Sequence, residues 1–429
     1  MKRFLWPALA LAALSGCASH SSTSASASAS GVAPPVSDAA LLAPPVLSSV
    51  ARQAGSITRF DSVPGGVMTT SGLIVPRGFQ VNVFASNLEN PRRIAIAPGG
   101  TARAFDVFVS ESSAGRVRVL RQSSGQGRAD SSSVFLSSLR QPYGLAFHPG
   151  GWLYVAQTDK IVRTPYRAGQ TRASGGLGFI SQLIADGYNN HWTRNLLFSR
   201  DFKKLYATVG SSCNTCEEES PIRATILEMN ADGSGRTVFA SGMRNPIGLV
   251  WRPGTNELWS VINERDNLGD NVPPDYFTRV DRARFYGWPY AYTLLDRSVH
   301  PDPSFGPLRP DKVRATTPPT VPVQAHSAAL GVAFYPPQVL AGAKSFGPSF
   351  SGDAFLSFHG SWNRSLKTGY KLVRVHFVNG SPVSITDFVQ GFLRNGEAWG
   401  RPVDVQIAPD GSLLFSDDGN GIIWRVSRA

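Results

Sequence analysis

Six short segments share one pattern of apolar and polar positions. RRIAIAPGG, YGLAFHPGG, RNLLFSRDF, IGLVWRPGT, LGVAFYPPQ and VDVQIAPDG each run from a small or polar residue through an apolar stretch to a turn. Short apolar or alternating runs bounded by turn residues read as strands. Pro98, Pro149, Arg200, Pro253, Pro336 and Pro409 hold the equivalent turn position, in steps of 51, 51, 53, 83 and 73 residues. A regular unit is therefore followed by two that carry insertions. Most turns lead into a second strand (DVFVSES, WLYVAQT, KLYATVG, ELWSVIN, AFLSFHG, LLFSDDG), and several continue into a third (RVRVLR, KLVRVHF, IIWRVS). Strong helical periodicity is absent. Strand units repeating at roughly 40 to 50 residues predict an all-β, six-bladed β-propeller over residues 65–429. A pair of β-sandwiches or a β-helix is the alternative, and neither expects this unit length. The early segment GFQVNVFA is expected to join the last blade, so that no sheet edge stays open.

In such a fold the loops leading into the innermost strands meet at one mouth. The residues just upstream of each repeat thus become neighbours: Arg92 and Arg93, Gln141 and Tyr143, His191 and Arg194, Arg244 and Asn245, His326, and Arg401. Four of the six approaches bring arginine and two bring histidine. A ring of guanidinium groups around a pore is costly unless an anion sits within it, so the pattern points to an anionic ligand.

Outside the repeats, MKRFLWPALALAALSGC has the basic start, short apolar stretch and small residues of an export signal over 1–16, too short to span a bilayer. Leu14, Ser15, Gly16 and Cys17 resemble the lipobox of bacterial lipoproteins. A lipidated Cys17 would hold the protein at a membrane surface, as an exported, periplasmic lipoprotein and more readily at an outer membrane. Residues 17–64, rich in Ser, Ala and Pro, read as a tether without a core. The formal net charge is +12, and only eight of the 42 cationic side chains are lysine. Arginine suits fixed carboxylate and phosphate pairing. No basic block interleaved with aromatics occurs, so nucleic acid is not an expected partner. A solvated surface, or one lying on anionic lipid, accounts for the charge.

The stretches HWTRNLLFSRDFKKLYATVGSSCN, GMRNPIGLVWRP, NERDNLGDN, RFYGWPY, FHGSWNRS and GRPVDVQIAPDG, in this order, resemble the quinoprotein glucose/sorbosone dehydrogenase family. GSSCN and HGSWNRS bring the chain nearer to its sorbosone and pyranose dehydrogenase branch. That resemblance implies a six-bladed propeller that uses pyrroloquinoline quinone (PQQ) and calcium to oxidise an aldose, sugar aldehyde or related sugar. It implies further that Arg244 and Asn245 face the quinone and its carboxylates and that Arg401 pairs another carboxylate. Asn363 or Arg364 takes the place of a lysine in some relatives, and Gln141 joins the cofactor-binding set. Glu264, Arg265 and Asp266 match the calcium loop, where consecutive carbonyls hold the ion. His191 matches the histidine that removes the hydroxyl proton of the sugar while hydride passes to the quinone, a task that requires a neutral imidazole. Neighbouring arginines would keep it neutral. Where some relatives orient this histidine with a carboxylate, Ser211 stands here. His326 and His359 are either pocket-lining or structural.

Cys213 and Cys216 form C-N-T-C. No histidine follows for a c-type haem, and no second cysteine pair exists for zinc. With Cys17 lipidated, the two are expected to pair as a short-loop disulfide in an oxidising compartment. The electrons from a sugar would pass to a membrane quinone pool or a redox protein. A calcium-binding propeller that holds carbohydrate or protein without turnover is the alternative function, followed by a lactonase-type hydrolase. Neither needs Arg244, Asn245 and Arg401 together.

Overall fold

In a computed structural model of the protein, which describes residues 57–184, 191–342 and 344–429, all six patterned segments are innermost strands. They span Pro91–Ile96, Leu145–His148, Leu196–Phe198, Asn245–Trp251, Ala329–Phe334 and Pro402–Ile407. Each leads outward through antiparallel neighbours into a blade, giving the six-bladed propeller that the repeats predict. In the sixth blade Phe79–Ala85 pairs antiparallel with Ile422–Arg428, so the expected closure by GFQVNVFA is the one observed. In the fifth, Thr58–Phe60 adds parallel to the outer strand Ser381–Val389. This strand precedes the boundary expected at Gly65; its backbone satisfies donors and acceptors of an otherwise open edge, so the propeller reaches back into the expected tether. The signal over 1–16, Cys17 and most of the tether lie outside the described residues.

The core is divided among the interfaces between blades. Six buried apolar clusters each join two adjacent blades, as where Phe108 meets Phe135, Phe147 and Tyr166 with ring centroids 4.9–5.3 Å apart. Burying one such ring contributes on the order of 1.5–3 kcal/mol. The two longer steps are explained by insertions. One holds the paired strands Ala291–Thr293 and Val299–Pro301 and the helix Pro310–Arg314, the other the pair Leu393–Arg394 and Glu397–Ala398. Among the described residues no helix is long and apolar enough to cross a membrane.

Two features bear on the mouth. The blades are tied in a closed ring by hydrogen bonds onto the neighbouring innermost strand or the residues leading into it. Ser112 Oγ donates to Pro142 O, Gly144 N to Arg194 O, Asn195 Nδ2 to Ile247 O, Asn263 Nδ2 to Ala329 O, Ser357 Oγ to Val403 O, and Ser416 Oγ to Arg92 O. Four innermost strands also break register at their mouth ends, between Pro91 and Ile94, Pro246 and Leu249, Ala329 and Val332, and Pro402 and Val405. Bulges of this kind re-aim side chains. At Gly331 a Cβ would lie 2.6 Å from the Asp404 Cα, so the close approach of two bulged strands requires glycine there.

Candidate active site

A cavity of about 620 Å³ opens at the mouth, a size suited to one small ligand. Its floor is apolar. Tyr143, Ile247, Leu330 and Val403, one from each of four blades, form a buried cluster against which Trp192 packs. Buried beside the floor, Arg93 pairs with Asp404 at 2.9 Å. Arg194 is likewise turned into the protein, donating to the carbonyls of His191, Thr193 and Ile184, and burial pushes its pKa down to about 9. Two of the arginines gathered by the repeat pattern are therefore braces and not ligand contacts.

His191 lines the cavity at 3% exposure. Its Nδ1 lies 2.8 Å from Ser211 Oγ and 3.2 Å from Ser211 O. The Ser211 hydroxyl donates to Cys213 O at 2.6 Å, so its oxygen, like the carbonyl, is left to accept. Nδ1 therefore carries the hydrogen and Nε2 is the basic nitrogen. Burial, reinforced by the Arg244 charge, holds the imidazole well below its ordinary pKa and thus neutral. Gly210 makes room for the pair of groups here, since a Cβ would fall 2.5 Å from Asn245 Oδ1 and 2.9 Å from the His191 Cβ.

Arg244 and Asn245 also line the cavity. Four of the five N–H groups of Arg244 are taken by the protein: Nε donates to Asn214 O (3.1 Å), Nη1 to Glu264 O (2.7 Å), and Nη2 to Asn214 Oδ1 (2.9 Å) and to the Asp266 carboxylate (2.8 Å). The guanidinium expected to meet a ligand carboxylate is thus committed to the loop expected to hold calcium. Asn245 Oδ1 is buried with no hydrogen-bond partner among the described residues. The Glu264, Asp266 and Asp275 carboxylates face the same cavity. Asp275 is occupied, accepting from the backbone of Glu264 and Ala328. Burial pushes the Glu264 carboxyl up to about 8, and among the described residues no cation forms an ion pair with it. Arg265 does not line the cavity; its guanidinium turns away to pair with Asp302.

On the opposite wall Asp418 gathers two guanidinium groups and an imidazole that burial keeps below its ordinary pKa. Arg92 and Arg401 pair with it, the latter at 3.0 Å, and His359 Nε2 lies 3.1 Å from its Oδ1. The Arg92 guanidinium also stacks 5.4 Å from the Trp192 ring and 5.9 Å from Tyr143. Arg401 remains half exposed, and neither of its η nitrogens makes a hydrogen bond to a described residue. Gln141, exposed at φ +43°, His326 and the exposed Trp362 complete the rim.

Of the residues singled out from the sequence, the cavity unites Gln141, His191, Arg244, Asn245, Glu264, Asp266 and Arg401. Asn363 and Arg364 are not brought to it: Arg364 reaches sideways to the carbonyl of Asp270 and, at 3.1 Å, to Asn271 Oδ1, tying its loop to the 264–271 loop. The anion expected within the arginine ring is supplied in part by the protein, through Asp418 and Asp266. Asp418 escaped sequence reading because two of its three partners, Arg92 and His359, lie 326 and 59 residues away along the chain. A buried carboxylate ending the second strand, in SDDG, was the one available signal.

Cys213 and Cys216 form the expected disulfide, at the edge of the site. The chain is 25% identical over 352 residues to the pyrroloquinoline quinone-dependent pyranose dehydrogenase of Coprinopsis cinerea, covering 74% of this chain and 46% of the relative. It spans about half the length of that relative. The solved holo form of the PQQ domain of pyranose dehydrogenase from Coprinopsis cinerea superposes with a TM-score of 0.70 at 21% identity, over 86% of this chain and all of the domain. The calcium structure of a Trichoderma reesei Carbohydrate-Active Enzymes Family AA12 protein superposes with a TM-score of 0.68 at 19% identity, over 86% and 98% of the two chains. A TrAA12-like family model matches residues 73–429, the whole propeller apart from the strand added at its fifth blade, and the chain belongs to that family.

Proposed function

We propose that this protein is a quinoprotein sugar dehydrogenase, an oxidoreductase that oxidises an aldose or a related sugar in the mouth cavity with PQQ and calcium. The observation that carries the reading is a neutral, tautomer-fixed histidine in a cavity that also presents cations on one wall and buried carboxylates on another, in a chain whose relatives are PQQ-dependent dehydrogenases. The donor set fits both groups. A hard cation suits the Glu264 and Asp266 carboxylates together with the orphaned Asn245 Oδ1. A tricarboxylate suits the unpaired η nitrogens of Arg401 and the neighbouring Arg92. When bound, the quinone supplies the two-electron acceptor and calcium the electrophilic assistance.

The protein's own part is acid–base and positional. His191 Nε2 takes the hydroxyl proton of the sugar, while Nδ1 is held by Ser211 so that the ring presents its lone pair and not its hydrogen. Arg244, fixed between Asn214, Glu264 and Asp266, contributes positive potential that keeps the imidazole unprotonated and stabilises an alkoxide developing beside it. The apolar floor limits water beneath the reacting carbon. Export and anchoring through Cys17, with transfer of electrons to a membrane quinone or redox protein, belong to the same reading and rest on residues 1–17.

The test is a titration of purified apoprotein with PQQ, with and without calcium, followed by anaerobic reduction of the bound quinone by a panel of aldoses, both read by absorbance. Calcium-dependent binding and sugar-dependent bleaching are expected, and chelation should lower the melting temperature of the loaded protein. Tight quinone binding without reduction by any sugar would favour a non-catalytic carbohydrate-binding propeller.

A further inference from the structure

The C-N-T-C motif lies between the two halves of the site, and each of its first two residues holds one of them. Cys213 contributes its carbonyl, which accepts the Ser211 hydroxyl at 2.6 Å and so leaves the hydroxyl oxygen, beside the Ser211 carbonyl, to accept from His191 Nδ1. Asn214 reaches the other way. Its Oδ1 accepts from Arg244 Nη2 and from Asp266 N, both at 2.9 Å, and its Nδ2 donates to Asp266 O at 3.2 Å. Its own carbonyl accepts from Arg244 Nε and Trp288 Nε1, both at 3.1 Å. Ser212 anchors the base of the loop through two 2.6 Å contacts to the Glu218 carboxylate. The disulfide to Cys216 closes a ring around Asn214.

We propose that residues 211–216 form one positioning clamp for both the proton acceptor and the cation loop, with Ser211 and Asn214 as its positioning residues and the Cys213–Cys216 disulfide as its lock. The inference rests on the reading of the cavity as a quinone-dependent sugar-oxidising site. A bridge that closes so short a ring removes less unfolded-chain entropy than one that closes a long loop, so global stability is the weaker reason for its presence. Local geometry is the stronger one. Four or more hydrogen bonds from two functional elements converge on two residues of a half-buried loop, and such a loop holds them in register only if its own backbone is fixed. The clamp also makes the two halves dependent on each other: a change in the ring moves the Cys213 carbonyl and the Asn214 amide together.

Four variants of the full-length chain separate this role from a general stabilising one. Ser211→Ala should leave affinity for PQQ with calcium near wild type but slow reduction of the bound quinone at saturating sugar roughly tenfold to a hundredfold, as losses of supporting partners typically do. Ser211→Thr, which keeps the hydroxyl, should restore the rate. Asn214→Ala should weaken PQQ and calcium affinity by a similar factor. The double variant Cys213→Ser/Cys216→Ser should show both defects in the folded, cofactor-saturated protein. Long-range proton–nitrogen NMR of His191 supplies a readout independent of turnover, with one tautomer, hydrogen on Nδ1, in the wild type and in Ser211→Ala, where the Ser211 carbonyl still accepts from Nδ1, and a mixture in the double cysteine variant, where that backbone is released. The clamp is refuted if the double cysteine variant melts earlier but keeps the wild-type tautomer, affinity and quinone reduction rate. If the wild type neither binds nor reduces the quinone, the functional reading falls, and the tautomer measurement still decides whether the clamp exists.

Discussion

Arg244→Ala should damage folding as well as ligand binding, because the guanidinium is built into the protein. The side chains of Arg244 and Asp266 are 4% and 10% exposed and 2.8 Å apart, and three further hydrogen bonds from the same guanidinium reach Asn214 and Glu264. Truncation removes the pair and leaves Asp266 buried with only His326, whose Nδ1 lies 3.7 Å from its Oδ1, as a cationic neighbour, so the cost reaches at most the roughly 3–5 kcal/mol typical of an orphaned buried charge. For a domain of about 360 residues, with an unfolding entropy near 2.1 cal/mol/K per residue, that corresponds to a fall of roughly 4–7 °C in melting temperature. The assay is thermal melting followed by circular dichroism, in protein freed of cofactor and metal so that ligand stabilisation does not enter. A second variant fixes the cause. Adding Asp266→Asn to Arg244→Ala removes the orphaned charge and should recover part of the loss, a non-additivity expected of residues in contact. Melting of Arg244→Ala within a degree of wild type, together with lost PQQ binding, would refute the reasoning: the guanidinium would then serve the ligand and not its protein partners.

His191 makes a pH prediction. Its native pKa lies well below 6.5, so quinone reduction at saturating sugar should be level from about pH 6.5 to 8 and decline only under more acid conditions. His191→Ala should be slower by roughly a hundredfold to ten-thousandfold and lack that acid limb. The same depressed pKa means that the unfolded chain takes up this proton first as pH falls. Its contribution to stability is therefore complete above about 6.5 and lost in acid, which melting curves of wild type and His191→Ala across that range will test. Arg401→Ala and Arg364→Ala should differ in equilibrium titration with PQQ. Arg401 offers unpaired η nitrogens to the cavity, so its loss should weaken binding at least tenfold, whereas Arg364, spent on Asp270 and Asn271, should leave affinity within about twofold of wild type. Equal losses in the two would overturn this placement.

What the sequence made legible was whatever depends on period and order. The six apolar runs and their turn positions located every innermost strand, since alternation and burial are local properties. GFQVNVFA could be assigned to the last blade because a propeller has to close. For the same topological reason seven of the ten named site residues meet in the cavity, although Arg93, Tyr143 and Arg194 among the approach residues do not line it. Their individual orientations depend on something period cannot show. Arg92 and Arg93 both lie inside the register break between Pro91 and Ile94, where one turns to Asp418 at the mouth and the other to Asp404 beside the floor. Likewise Arg364 follows Asn363 in a motif that promised a ligand contact, but its guanidinium is taken by the carbonyl of Asp270, on another blade's loop, and does not line the cavity.

The chemical balance of the mouth follows from these orientations. Arginines alone imply a strongly positive well, whereas the folded protein pairs Arg244 with Asp266 and Arg92 and Arg401 with Asp418. A site neutralised in this way costs little to keep empty, because no guanidinium waits unpaired for a ligand. On the proposed reading, affinity for a tricarboxylate then depends on the spare donors of Arg401 and on a cation that answers the Glu264 carboxyl, which burial, with the Asp275 charge beside it, holds near 8. Binding of that cation must release the Glu264 proton. The metal and the anionic cofactor are thereby linked through charge: each makes the other's uptake more favourable, and neither should bind the apoprotein as tightly alone as in the other's presence.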